Sequence, residues 1–96
     1  MAMKNPCHPG ELILHDWIGG LDLSVEAAAE HMQVSAESLE DICQGKAPVT
    51  TEMAVRLSKT LGSTPRFWIQ LQANYDAARA EEMLDQFNIK RIERAA

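Results

Sequence analysis

SVEAAAEHMQVSAESLEDICQG, Ser24 to Gly45, is the stretch that decides the fold. It holds two short helical patterns split by a tight turn. Ser24 is a good N-cap for the first, because a serine hydroxyl accepts an otherwise orphan backbone N–H. Ala29 is small where a second helix must cross closely, and Met32 closes the pattern. Gln33-Val34-Ser35 is the turn, with Val34 filling the gap between helices and Ser35 capping the next one. Leu39 and Ile42 then fall on one face at i and i+3. Gly45 stands where a left-handed residue ends a helix. This is helix-turn-helix spacing, in which the second helix can lie in a DNA major groove.

Outward from that stretch the punctuation continues. His8-Pro9-Gly10-Glu11 opens a first helix: proline suits a position that needs no N–H, and Glu11 complements the helix dipole. Leu12, Ile13 and Trp17 give it apolar contact, and Gly19-Gly20 ends it. After the loop Lys46–Val49, Thr50 caps a fourth helix whose inner face is Met53, Ala54, Leu57 and Leu61; Gly62 stops it. Thr64-Pro65 starts the fifth and longest helix, expected to run over 64–87. Phe67, Trp68, Leu71 and Tyr75 form its first apolar stripe, and Ala78, Met83, Leu84 and Phe87 a weaker second one. That second stripe outruns a single core and is the expected homodimer contact. Residues 1–7 read as a frayed arm, and Ile89–Ile92 as a last turn or tail. The prediction is one all-α domain of five helices with an extended C-terminal helix.

A chain of 96 residues suffices for one modest hydrophobic core. No long period-two alternation argues for strands. Cys7 and Cys43 are far apart and form no C-x-x-C, usage that fits a reduced, cytoplasmic setting better than a disulfide scaffold. No leader pattern or apolar run near about 18 residues suggests secretion or a membrane span.

The net charge is −5, and the excess is lodged in one half. Residues 1–62 hold four basic groups (Lys4, Lys46, Arg56, Lys59) and nine acidic ones (Glu11, Asp16, Asp22, Glu26, Glu30, Glu37, Glu40, Asp41, Glu52), whereas 63–96 carry five of each. Phosphate neutralisation supplies most non-specific DNA affinity, so weak generic binding is expected.

With the motifs placed, the chain resembles the HigA-type antitoxins, small bacterial proteins with the lambda-repressor-like helix-turn-helix fold. The likeness covers about residues 8–78. His8-Pro9-Gly10-Glu11 resembles the family's opening HPGE, and Thr51–Leu57 its fourth helix. Gly62-Ser63-Thr64-Pro65-Arg66-Phe67-Trp68-Ile69-Gln70-Leu71-Gln72, followed by Tyr75-Asp76, is similar to its GTSPEFWLNLQ signature. The resemblance implies a homodimer that binds a small RelE-like ribonuclease toxin and represses its own operon, with the recognition helix at Ser35–Cys43. Three features depart from the pattern. Val25 stands where related repressors often carry glutamine. Gln33 occupies a turn position that usually holds glycine, and the recognition helix bears Glu37, Glu40 and Asp41 but no base.

Candidate DNA contacts are therefore Ser35, Glu37 and Ser38 at the start of the recognition helix, and Lys46 just after it. Glutamate can accept from cytosine N4 and serine can serve any base; the plainer reading makes both solvated helix-start residues. Lys46 is a candidate phosphate ligand. The toxin is expected on the acidic face of the first two helices, at Glu11, Asp16, Asp22, Glu26 and Glu30. Two rival readings stay open: a toxin-neutralising module without DNA binding, and an orphan regulator without a toxin. Trp68 and Tyr75 could stack bases, but their one-face spacing favours core packing, and Arg56 suits a structural ion pair. His8, His15, His31, Cys7 and Cys43 lack metal-ligand spacing, so no metal or cofactor is expected. Nor does any nucleophile elbow or phosphate loop suggest an enzyme.

Overall fold

The protein is described here by a computed structural model covering residues 7–93, apart from the side chain of Asp16. Helix α1 (Pro9–Leu12) passes directly into a π-helical stretch (Ile13–Ile18), and α2 (Val25–Met32), α3 (Ala36–Cys43), α4 (Thr51–Leu61) and α5 (Pro65–Met83) follow. A 3₁₀ turn, Leu84–Gln86, ends the regular structure. The described residues contain no strand, so the all-α class and five-helix plan hold.

Capping explains why the elements start where they do. Ser24, Ser35, Thr50 and Thr64 each have extended backbone, and each side-chain oxygen accepts the N–H three residues on, at 3.1, 3.0, 3.2 and 3.2 Å. Gly45 and Gly62 end α3 and α4 at φ 77° and 82°, a region open to glycine at little steric penalty. Gln33 ends α2 in the same region, at φ 61° and ψ 42°. The Val34 N–H reaches back to the Ala29 carbonyl at 3.0 Å, so the turn is locked despite its non-glycine residue. A left-handed L-residue is disfavoured by about 1–2 kcal/mol. Gln33→Gly relieves that strain but loosens the unfolded chain by about 0.4–1 kcal/mol. The expected net gain is about 0.5–1 kcal/mol, measurable in urea unfolding as a raised midpoint at unchanged slope. A lowered midpoint would mean that the glutamine side chain compensates its backbone.

One core joins all five helices. Ile13, Ile18, Ala28, Ala29, Met32, Leu39, Ile42, Leu57 and Trp68 are buried together, with Trp68 the largest fully buried side chain. Trp17 lies half-buried beside Trp68, ring centroids 6.0 Å apart. Core packing thus takes Trp68 away from any base-stacking role. Phe67 departs from expectation: it is 37% exposed, edge-on to Trp68 on the outer side of α5, because the inner side is already filled by the larger ring.

Two further expectations are corrected. The first helix is not regular: the N–H groups of Gly19 and Leu23 bond five residues back, to Leu14 and Ile18, at 2.9 and 3.1 Å. The α-helical part of α5 stops at Met83 rather than at residue 87, and Phe87 is already extended. Asp85, Phe87 and Asn88 are poor helix formers, and no core lies beneath them to override that weakness. The α5 end and the segment to Glu93 are exposed, which draws the molecule out to 58 × 27 × 22 Å. Of the expected N-terminal arm, residues 1–6 lie outside the described residues; Cys7 is exposed. Among the described residues, no helix is long and apolar enough to cross a membrane.

Candidate nucleic-acid interface

Helix α3 divides cleanly. Leu39, Ile42 and Cys43 are buried against the core, while Glu37, Ser38 and Glu40 face solvent. The two serines of the first turn are joined: Ser35 Oγ accepts the Ser38 N–H at 3.0 Å and donates to Ser38 Oγ at 2.7 Å. Ser38 is left with a proton to offer outward, at the end where side chains of a recognition helix meet base edges. Glu37 projects beside it with no ion-pair partner among the described residues. Glu40 accepts from Gln44 Nε2 at 3.0 Å, which holds it along the helix.

Lys46 is exposed, but it is not part of that cluster. It lies beyond the far end of α3, where its N–H bonds the Asp41 carbonyl at 2.8 Å. Eight helical residues rising about 1.5 Å each separate it from Ser35 by about 12 Å. The four candidate contacts thus fall into two groups, three at the start of α3 and one beyond its end.

Around these groups stand residues whose roles sequence reasoning left open or missed. Arg56, on α4, forms the expected ion pair, Nη2 to Glu52 Oε1 at 2.9 Å. Its Nη1 also donates to the carbonyls of Met32 and Gln33, at 2.8 and 3.3 Å. A cation on the last carbonyls of α2 suits the helix dipole and ties α4 to the interhelical turn. Only the i,i+4 spacing of Glu52 and Arg56 was legible beforehand. Gln72 on α5 is buried: its Oε1 accepts the Val49 N–H at 2.7 Å, and its Nε2 donates to Asp76 Oδ1 at 2.9 Å. Its spacing did mark it: Gln72 is four residues from Trp68, on the stripe with Leu71 and Tyr75, although its polar side chain argued for the surface.

His8 anchors the opposite side. Its Nδ1 accepts the Gly10 N–H at 2.9 Å, capping α1, and its ring meets Tyr75 edge-on at 4.9 Å. Burial depresses its pKa below the ordinary value of 6.5, against weaker opposing effects of a backbone hydrogen bond to Ala47 and the charges of Asp76 and Glu11. The folded chain therefore binds this proton less well than the unfolded chain. The stability from neutral His8 is complete above about pH 6.5 and falls away as pH drops through that value toward the folded pKa. The melting temperature should decline below pH 6.5, and His8→Asn, which keeps a cap acceptor, should flatten that decline. An unchanged pH profile in the variant would assign the effect elsewhere.

The acidic candidates spread over a wide face. Glu11, Asp22, Glu26 and Glu30 are exposed, with Asp22 in a left-handed turn at φ 57°. The side chain of Asp16 lies outside the described residues. On distal α5, Ala78 is half-buried, whereas Met83, Leu84 and Phe87 are exposed and, with Ala80 and Ile89, line an open apolar groove of about 390 Å³. Among the described residues, no group of three or more His, Cys, Asp or Glu side chains could hold a metal ion.

No protein-family model matches the chain. Individual relatives do. Virulence-associated protein A' of Dichelobacter nodosus is 42% identical over 81 residues, spanning 83% of this chain and 70% of that protein. The Pseudomonas aeruginosa antitoxin HigA, solved with the higBA promoter, is 31% identical with a TM-score of 0.81, over 84% of this chain and 88% of that one. Antitoxin GraA in complex with its operator is 30% identical with a TM-score of 0.80, over 98% and 97%. The chain belongs to the HigA-type antitoxins. Its HigA-like HPGE segment now has a structural meaning: His8 caps, Pro9 starts the helix and Gly10 lets α1 touch the end of α3. The HigA-like Gln72 and Asp76 belong to the hydrogen-bonded link between α5 and Val49.

Proposed function

We propose that this protein is an operator-binding antitoxin that represses its own operon as a dimer and neutralises a RelE-like ribonuclease toxin. The observation that carries the DNA part is the edge of α3. Its apolar side chains are buried, and its exposed first turn offers a hydroxyl proton and a carboxylate, in a chain similar to antitoxins solved on promoter and operator DNA. In this reading Ser38 and Glu37 meet base edges, Ser35 sets their position, and Lys46 takes a phosphate. Two-fold operators need recognition helices about 34 Å apart, which calls for a dimer. The groove of Met83, Leu84 and Phe87 supports a second copy as its occupant.

For the toxin, the supporting feature is charge. Exposed Glu11, Asp22, Glu26 and Glu30, with Asp16 as a fifth candidate, would complement a basic RNA-cleaving partner and speed the encounter. Co-expression with the neighbouring small gene, then a pull-down at moderate salt, tests this. A neighbour that is harmless alone and does not co-purify would leave the orphan-regulator reading.

A mobility shift with the chain's own promoter tests the DNA part. Lys46→Ala should weaken binding alike on all sequences and lower the salt slope by about 0.9 per lost phosphate contact. Glu37→Ala should change sequence preference. If it instead tightens binding equally on every sequence, Glu37 is a repulsive bystander. The absence of any base on α3 favours the second reading, a toxin-binding module without DNA binding. That reading takes over if no promoter fragment shifts at micromolar protein and low salt.

A further inference from the structure

We propose that Gln72 is a positioning residue for Lys46: from α5 it locks the loop that carries the phosphate-binding lysine, and so preorganises the far end of the DNA edge. The consequence for DNA rests on the operator-binding reading; the lock itself does not.

The loop Lys46–Val49 joins two capped helices. At its start, the N–H groups of Lys46 and Ala47 both bond the Asp41 carbonyl, at 2.8 and 3.2 Å, so that end moves with α3. At its other end, a tie comes from outside the helix-turn-helix. Gln72 of α5 takes the Val49 N–H at 2.7 Å in a buried site, where the Val49 side chain is also buried.

The amide of Gln72 serves this role in only one of its two orientations. Only its oxygen can accept the Val49 N–H, and only its NH₂ can donate to a carboxylate. Asp76, one turn further along α5, fixes the choice: it takes the Nε2 hydrogen at 2.9 Å and turns Oε1 toward Val49. A buried glutamine without partners is destabilising, so a site that satisfies both ends of the amide favours one loop conformation over looser ones. Lys46 is exposed and makes no ion pair among the described residues. Its place relative to Ser38 is set by the backbone that carries it. A loop already ordered gives up less conformational entropy when its lysine meets a phosphate.

The test uses the full-length chain and four variants: Gln72→Met, Asp76→Ala, Lys46→Ala and the double variant Lys46→Ala/Gln72→Met. Backbone relaxation of the free protein is read first. Residues 46–49 should show order parameters near the rigid value of about 0.85 in the parent. In Gln72→Met they should fall toward about 0.6 while the helices keep theirs, with a smaller change in the same direction in Asp76→Ala. Should Gln72→Met fail to fold, Asp76→Ala decides. Loop order parameters that match the parent in a folded variant overturn the lock. On promoter DNA, Gln72→Met should weaken binding and flatten the salt dependence as Lys46→Ala does, and the double variant should be no weaker than Lys46→Ala alone. Additive losses would show that Gln72 does not act through Lys46. If the parent shifts no DNA, the operator-binding reading fails, and the relaxation comparison still decides the lock.

Discussion

Replacing Gly10 by alanine is expected to destabilise this protein by about 3 kcal/mol, at the upper end of what overpacking usually does. The two opposing effects differ in size. Alanine is the better helix former by about 1 kcal/mol, and Gly10 sits in α1, so local propensity favours the substitution. Against it, a β-carbon at Gly10 would stand 1.9 Å from the Ile42 carbonyl oxygen, 2.8 Å from its carbon and 2.9 Å from Cys43 Cα. All three are backbone atoms at the end of α3, and none can rotate away. Helix α1 must retreat, loosening Ile13 in the core. In a domain this small, about 3 kcal/mol lowers the melting temperature by more than about 10 °C. Calorimetry checks it; a fall of only a degree or two would mean that α1 rides higher on α3 than described.

Trp68→Ala is expected to be as severe, at about 3–5 kcal/mol, the range for emptying a buried aromatic site. That is a large share of the total stability of about 5–15 kcal/mol typical of a domain. Trp68 is fully buried, flanked by Trp17 and by Phe67, whose ring lies edge-on at 5.0 Å. Trp68→Phe separates packing from polarity. The indole N–H finds no hydrogen-bond partner among the described residues, so phenylalanine gives up volume but no such bond. It should fold, at about 1–2 kcal/mol below the parent, as a partial cavity requires. Urea unfolding followed by far-ultraviolet dichroism measures both. If phenylalanine proved as damaging as alanine, the N–H would have to be engaged.

The contrast between these residues and the rest shows what the chain states openly. Ser24, Ser35, Thr50 and Thr64 announce helix starts because capping is a local bargain between a side chain and the N–H three residues away. Gly45 and Gly62 announce ends for an equally local reason. The inner faces of α3 and α4 could be read because their apolar residues recur at helical spacing. The π-helical turn after Leu12 could not, since it reflects how α1 must be rotated to seat its side chains on other helices. The backbone partners of Gln72 and Arg56 were opaque in the same way, because they lie more than 20 residues distant, although the ion pair of Arg56 was expected. In the candidate interface, residue types and exposure were legible. The division into a serine–glutamate end and a lysine end was legible too, because the helix between them was placed at Ser35–Cys43; the serine pair's mutual hydrogen bond was not.

The seam beneath Gly10 also gives the molecule a clock. Cys43 is buried at that seam, and burial, with Glu40 nearby, raises its thiol pKa. Cys7 is exposed, its pKa raised chiefly by a hydrogen bond to Glu11. Thiolates, not thiols, react with disulfide reagents. Cys7 should therefore label on mixing, at a rate set by its own ionisation. Cys43, only 5% exposed, should label more slowly, through a local opening around it. The ratio of its rate to that of the unfolded chain measures the free energy of that opening. One reagent, two cysteines and no introduced probe thus suffice to time the breathing of the joint on which the recognition helix rests.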